Sequence, residues 1–428
     1  MCKSTREIRA WCIGWGRVVI GITVLVMCIQ APVVGAEEGK KYQGKVVYEK
    51  TILGKAYRIE TVEGEPGKYR VSWGEEELKW EPKPWYDDEL NKKGPLLYTE
   101  WLQPLYYPYT IPLEEREKFN GFDVMDICFP WWPASPGFAA EDGFDGHLYA
   151  PGAEYRRDKT GFEWNTYYTK AEDKNWLWDP SPPPSLDGQA YRKYLFLFRS
   201  PRDLLKVGFL QIQYQGKNKE DDNYLYVPTV RKVRRLATAN RQDSIGGLII
   251  RQEQNAIMTP IHNYKVIGAR LMNYPAEDPF FGLDAGEAEK QSPAVEVKRV
   301  DGIGGPVWVV ETIPFREDWW FAKQLTYVGI ATMQPLLQDS FDRNGRLIQR
   351  MVPLYSLLPP GQVSKGVPNC CKRETHLFWN ALSVKDYMTG FWTLIYSNEQ
   401  TLNPPIPDGL YNVQSLLQEP KTIDFYRQ

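Results

Sequence analysis

Apolar and polar residues alternate with a period of two over much of this chain, and that alternation predicts a protein made mainly of strands. Tyr57, Ile59 and Thr61 alternate with charged neighbours, Gly64-Glu-Pro-Gly67 supplies a turn, and Tyr69, Val71 and Trp73 resume the alternation. This is the pattern of a β-hairpin with one solvated face. Farther along, Tyr194-Leu-Phe-Leu-Phe198 is an unbroken apolar run ended by Pro201, which suits a strand buried on both faces. Leu210, Ile212 and Tyr214 alternate with Gln211, Gln213 and Gln215, which predicts a strand with one wet face. Further strands are predicted at Tyr224–Val227, Lys232–Leu236, Tyr264–Ile267, Val307–Glu311, Gln324–Val328 and Phe391–Tyr396. Asp342-Arg-Asn-Gly345 contains Asn-Gly, a strong hairpin turn signal, between Leu336–Phe341 and Leu347–Val352. Strands joined by short turns, with few helical stretches between them, predict a meandering antiparallel sheet.

From about Trp80 to Asp187 the regularity fades, and clusters of proline and aromatic residues dominate, such as Tyr106-Tyr107-Pro108-Tyr109 and Phe129-Pro-Trp-Trp-Pro133. Only Leu113 to Phe119 reads as helical, and Pro180 with Pro182-Pro183-Pro184 marks a stiff loop or linker. Such a segment needs a scaffold, so it is expected to pack on the sheet.

The beginning of the chain has a different character. Lys3, Arg6, Arg9 and Arg17 precede an apolar run from Val18 to Ile29, which closes on Val34-Gly35-Ala36 before Glu37-Glu38. A basic start, an apolar middle and a small-residue exit predict a secretory signal peptide over 1–36, cleaved after Ala36. The apolar run of roughly 12 residues falls short of the roughly 20 that span a bilayer, which disfavours an uncleaved anchor. The expected location is therefore outside the cytoplasm.

Formal net charge is −2, which gives no reason to expect a nucleic-acid partner. Trp, Tyr and Phe together make up 14% of the residues, a content that suits pleated half-buried surfaces and large apolar cavities, and equally sugar-binding surfaces. Three histidines, His147, His262 and His376, lie far apart without ligand spacing, so neither metal nor cofactor is expected. Cys128 is a possible disulfide partner for one of the adjacent Cys370 and Cys371 in an exported protein. No nucleophile elbow, metalloprotease motif or phosphate-binding loop is present, and Gly302-Ile-Gly-Gly305 precedes a predicted strand, so it reads as a turn. Glu141 to Gly146 and Glu220 to Asn223 read as acidic loops, and Arg231-Lys-Val-Arg-Arg235 as the wet face of a strand beside a turn.

A curved aromatic sheet can leave an apolar hollow, whose burial of ligand surface at roughly 25 cal/mol per Å² supplies affinity without a catalytic group. A family resemblance points the same way. Asn223-Tyr-Leu-Tyr-Val-Pro-Thr-Val-Arg-Lys-Val-Arg-Arg-Leu236 resembles the strand–Pro–turn–strand signature of DUF1329, an exported bacterial family related to the lipoprotein-sorting carriers LolA and LolB. His262 to Arg270, Val307 to Glu311, Lys323 to Val328 and Ser340 to Arg346 follow in family order, so the resemblance spans roughly residues 190 to 400. It implies an incomplete LolA/LolB-like β-barrel with a few helices as lid, in the periplasm of a Gram-negative bacterium, and no catalytic residues. It divides the chain into the signal, residues 37–190 packed on the sheet, and a LolA-like antiparallel β core over 191–428.

The function expected from these readings is that of a carrier or chaperone for a lipid, an acyl chain or another hydrophobic molecule. The resemblance adds an RND-type transporter or an outer-membrane protein as partner. Phe196, Phe198, Ile212, Tyr214, Tyr226, Trp308, Tyr327 and Phe391 are the candidate ligand-binding residues, being large and apolar or aromatic on predicted strands. Two other readings stay open: a non-catalytic envelope scaffold or polysaccharide-binding module using the Trp/Tyr clusters at 80–109 and 129–133, and a glycosidase with two carboxylates converging in a cleft.

Overall fold

A computed structural model describes residues 44–81, 113–128, 139–149, 160–168, 190–198, 201–214, 220–237, 240, 242–244, 246–255, 262–273, 305–330, 333–358, 376–402 and 412–417. The first sheet is a four-stranded meander: β1 (Val46–Ile52), β2 (Lys55–Val62), β3 (Glu65–Trp73) and β4 (Glu76–Trp80). Its alternation sorts the residues as the sequence predicts. Tyr57, Ile59, Val71 and Trp73 are 2% exposed or less, while Arg58, Arg70 and Glu77 face outward among exposed ion pairs. Tyr57 pairs across with Trp73, and Ile59 with Val71, so the aromatic and β-branched side chains stack in register.

Two short helices follow, α1 (Leu113–Arg116) and α2 (Gly121–Cys128). Asn120 caps α2 in a reciprocal box: its side-chain oxygen accepts from the Asp123 amide at 3.0 Å, and the Asp123 carboxylate accepts from the Asn120 amide at 3.0 Å. Arg116 is buried and donates to the Ile330 carbonyl at 3.0 Å, and burial pushes its guanidinium down to about 10.

The remaining strands are β5 (Ala139–Tyr149), β6 (Thr160–Tyr168), β7 (Ala190–Phe198), β8 (Gly208–Tyr214), β9 (Asp222–Val227), β10 (Lys232–Leu236), β11 (His262–Met272), β12 (Gly305–Pro314), β13 (Lys323–Gly329), β14 (Pro335–Phe341), β15 (Leu347–Leu358), β16 (His376–Asp386) and β17 (Trp392–Leu402). They form one antiparallel sheet of 13 strands in the order β10-β9-β8-β7-β6-β5-β17-β16-β15-β14-β13-β12-β11. Two meanders, β5–β10 and β11–β17, therefore lie side by side and meet where β17 pairs with β5. The edges β10 and β11 do not pair with each other, so the sheet is an incomplete barrel; a twisted sheet of this width curls. The architecture is mainly β with a few short helices, as the sequence predicts.

The four-stranded sheet and α2 pack on one face of the β11–β13 end. Ile59, Val71, Trp73, Val124 and Met125 meet Leu271, Trp308, Val310 and Val328 in a single buried cluster. Gly121 is pressed against this junction, where an added Cβ would lie 2.5 Å from the Lys265 amide nitrogen and 2.6 Å from its Cα. Backbone cannot yield as a flexible side chain can, so Gly121→Ala is expected to destabilise the protein by about 2 kcal/mol. Urea denaturation measures this, and an unchanged midpoint would show that α2 sits less tightly than its geometry indicates.

Several positions depart from the sequence reading. β5 and β6 lie in the stretch whose pattern shows little regularity, so Glu141 to Gly146 is strand rather than loop. β8 does not have a wet glutamine face at Gln211, which is 1% exposed and donates to Asp221 at 3.1 Å. Its neighbour on β9, Asn223, is buried beside it. The basic run on β10 is exposed edge strand, with Arg235 paired to Asp222, and edge-strand cations oppose unwanted pairing with another chain. Cys370, Cys371 and the aromatic clusters at 85–109 and 129–133 lie outside the described residues, as does the 1–36 segment.

Candidate functional site

The register of β11–β15 assigns neighbouring side chains to opposite faces. On the face toward the small sheet, Thr312, Gln324, Thr326, Gln338, Ser340 and Gln349 form a buried polar row. Gln324 donates to Ser340 at 3.0 Å and Gln338 to Thr326 at 3.1 Å, which satisfies part of the row, while Thr312 Oγ1 and Gln338 Oε1 find no partner among the described residues. Such residues at alternate positions predict a solvated face. At the Gln349 end of the row, the described part of the connection from β10 to β11 lies over it. Leu248 and Ile250 of that strap are 1% exposed or less. The Ile249 amide donates to Thr393 of β17 at 2.9 Å, and Gln349 of β15 donates to the Ile249 carbonyl at 2.9 Å.

The strap continues into α3 (Gln252–Asn255), where Glu253 is held in an aromatic cage. Its carboxylate accepts from the Trp319 indole at 3.0 and 2.9 Å and from the Trp320 indole, and His262 lies 3.3 Å away. Trp319 and Phe321 meet the His262 ring edge-on, at 5.2 and 5.6 Å between centroids, and Arg251 lies 4.5 Å over Trp320. This cage fastens the strap to the β11 edge and to the β12–β13 connection.

Beside the small sheet, where Leu78 of β4 meets Leu271 and Met272 of β11, lies a cleft of about 230 Å³, lined also by Leu337, Tyr327 and the charged Arg270, Asp339 and Arg350. Arg350 grips Asp339 with two hydrogen bonds, 2.6 and 2.7 Å, and Asp339 is 4% exposed. The pair is bidentate and nearly buried, so its geometry is fixed. Arg270 stands 5.9 Å over the Tyr327 ring, and burial, with Asp339 nearby, raises the Tyr327 phenol above its ordinary range, keeping it protonated at neutral pH. The lining therefore joins a few aliphatic side chains to two guanidinium groups, a carboxylate and a phenol. Among the described residues no three His, Cys, Asp or Glu side chains form a metal-binding group.

The eight candidate residues from the sequence do not gather in one place. Tyr327 lines the cleft. Ile212 and Tyr226 pack with Leu195, Leu197, Leu210 and Leu416 in a second cluster near the other edge of the sheet. Tyr214 donates to Asp222 at 2.6 Å. Trp308 is packed in the cluster beneath the small sheet, Phe198 is buried at the end of β7, and Phe391 is half-buried just before β17. Phe196 lies on β7, but its side chain is outside the described residues. The residues that reasoning from pattern missed are the charged ones, Arg270, Asp339 and Arg350. A strand position holding a charged residue reads as solvent-facing, and only the register pairing Asp339 with Arg350 across β14 and β15 discloses the cleft.

Comparison with known proteins adds a family. The sequence profile described as "Protein of unknown function (DUF1329)" matches residues 146–377, more than half of the chain. Among curated proteins none matches. Three solved structures illustrate the similarities of fold. A domain from Vibrio parahaemolyticus described as an outer membrane lipoprotein-sorting protein shares 15% identity at a TM-score of 0.43, covering 65% of this chain and 91% of that one. A DUF1329 family protein from Desulfovibrio piger shares 14% identity at a TM-score of 0.43, covering 66% and 92%. A LolA superfamily protein from Nitrosomonas europaea shares 11% identity at a TM-score of 0.39, covering 69% and 99%.

Proposed function

The chain belongs to the DUF1329 family, and from its cleft we propose that it serves in the periplasm as a carrier or chaperone for an amphiphilic lipid-like molecule. The observation that supports this reading is the juxtaposition of Leu78, Leu337 and Met272 with Arg270, Arg350 and Tyr327 on an open sheet. The cleft is smaller than the roughly 300–1,000 Å³ typical of small-molecule pockets. It accordingly takes the head of the ligand and the first part of its chain. Arg270 meets the anionic head, while Asp339 holds Arg350 in place. An apolar tail continues along the same face of the sheet, where Ile212, Tyr214 and Tyr226 stand. Binding of this kind requires orientation and apolar burial but no catalytic group. Transfer of the cargo to an RND-type exporter or an outer-membrane protein belongs to the same proposal.

Native mass spectrometry of protein recovered from envelope extracts, with extraction of co-purifying lipid, tests the reading. A stoichiometric hydrophobic passenger is the expected result. Arg270→Glu is expected to lower uptake of a fluorescent fatty acid by about tenfold, a charge-assisted contact having been replaced by repulsion. Protein that is free of passenger and takes up no fatty acid would overturn the carrier reading in favour of an envelope scaffold.

A further inference from the structure

The sheet has two ends of contrasting character. Connections of consecutive antiparallel strands leave alternately from one end and the other. The links 201–207 (β7–β8), 228–231 (β9–β10), 315–322 (β12–β13), 342–346 (β14–β15) and 387–391 (β16–β17) therefore all lie at one end. Strand spacing sets neighbouring tips roughly 10 Å apart. The described residues of these links form a rim of short turns.

This rim carries five of the ten large hydrophobic residues that stand exposed among the described residues. Leu205 is 45% exposed, Val230 48%, Phe315 60%, Tyr387 41% and Met388 61%, and each sits on one of these links. Cations stand beside two of these tips. Arg202 and Lys206 flank Leu205, with Asp203 between them, while Arg231 and Lys232 follow Val230, and all are exposed. Of the rim acids besides the exposed Asp203 and Glu317, Asp318 pairs with Arg316, and Asp342 receives Arg346 and two amides of its own turn. Asp386 likewise accepts from the amides of Met388 and Thr389. That leaves a basic surplus, concentrated on the β7–β10 tips.

We propose that this rim docks on an anionic lipid bilayer. Apolar side chains on separate tips, with exposed cations on the β7–β8 and β9–β10 tips, match an interface in which the apolar groups enter the headgroup layer and Arg202, Lys206, Arg231 and Lys232 meet lipid phosphate. A stable protein–protein interface requires instead a contiguous apolar core, and polar turn backbone separates these tips. The docking places the edge of the sheet, not its faces, against the membrane. It stands independently of the carrier reading, because it invokes no residue of the cleft.

Vesicle flotation tests the proposal with the full-length protein, using phosphatidylglycerol/phosphatidylethanolamine vesicles and phosphatidylcholine vesicles. Every variant carries the same N-terminus, so any contribution of that end cancels in the comparison. The expected result is preferential binding to the anionic vesicles that falls as salt rises. A variant combining Leu205→Ser, Val230→Ser, Phe315→Ser and Met388→Ser, and another combining Arg202→Glu, Arg231→Glu and Lys232→Glu, should each bind at least about tenfold more weakly. All are surface changes, and unaltered circular dichroism and Tm would confirm the fold. Equal binding to neutral vesicles, or no loss in either variant, would overturn the proposal, whatever protein the rim then proved to bind. Lipid content measured on the same samples reports on the carrier reading separately.

Discussion

Trp73→Ala is expected to cost about 4 kcal/mol of stability, within the range for deleting a buried indole. Trp73 is 2% exposed and is among the largest fully buried side chains. It lies between Tyr57 across the small sheet and the cluster built on Trp308 and Val310. Its indole donates to the Ile52 carbonyl at 2.9 Å, and the Lys55 ammonium lies 4.1 Å over its ring. Alanine leaves a cavity that the paired strands cannot collapse to fill, and it orphans the carbonyl. Trp73→Phe retains most of the ring and is expected to lose less than half as much. Urea denaturation gives the magnitude, and hydrogen exchange locates it in β1–β4 and β11. A loss below about 1 kcal/mol would mean that the small sheet contributes little to holding the large one.

Glu253→Ala should produce a second large loss, of about 3 kcal/mol, by a different mechanism. The carboxylate is 9% exposed and serves two indole N–H groups and His262 at once. Its removal leaves buried donors facing one another with no acceptor. Glu253→Gln retains an acceptor oxygen but brings its own donors into a cage of donors, so it is expected to recover only part of the loss. The diagnostic readout is local: amide exchange should quicken over 242–254, where Ile249 and Gln254 lean on Thr393 and Gln349. A uniform loss of protection across both sheets would indicate that the cage supports the whole fold instead of the strap.

The two losses fall on features that differ in how well the sequence discloses them. The small sheet is legible because its alternation is clean: Tyr57, Ile59, Val71 and Trp73 all point inward, and Gly64 adopts the positive φ of 76° that its turn requires. The turn at Asn344-Gly345 is equally legible, with Asp342 accepting from the Asn344 and Arg346 amides at 2.8 and 2.9 Å. The strap is not. Its burial depends on packing at the Gln349 end of a row of glutamine, threonine and serine, and periodicity reads such a row as wet. Polar alternation reports which residues share a face, but it carries no information about what lies on that face. The same reasoning explains the candidate site. Aromatic size led to Tyr327, which lines the cleft, and equally to Trp308, which fills a core. The guanidinium groups that give the cleft its chemistry emerge only once register brings β14 and β15 together.

The seam between β17 and β5 bears on how the chain acquires its fold. Each meander consists of neighbours in sequence and forms through loop closures much shorter than the one the seam requires. Pairing Ile395 with Gly146 and Leu394 with His147 instead joins the first and last strands of the large sheet in chain order. Closing so long a loop costs conformational entropy before any contact repays it, so the seam is the slow step of folding. Until it forms, β5 and β17 are both unpaired edges inside what will become the middle of the sheet, and two half-sheets coexist with open hydrogen-bonding rims. A folding chain in that state is prone to pair with another copy of itself. For a protein expected to cross a membrane before folding, the interval between export and seam closure is when a holding chaperone matters most.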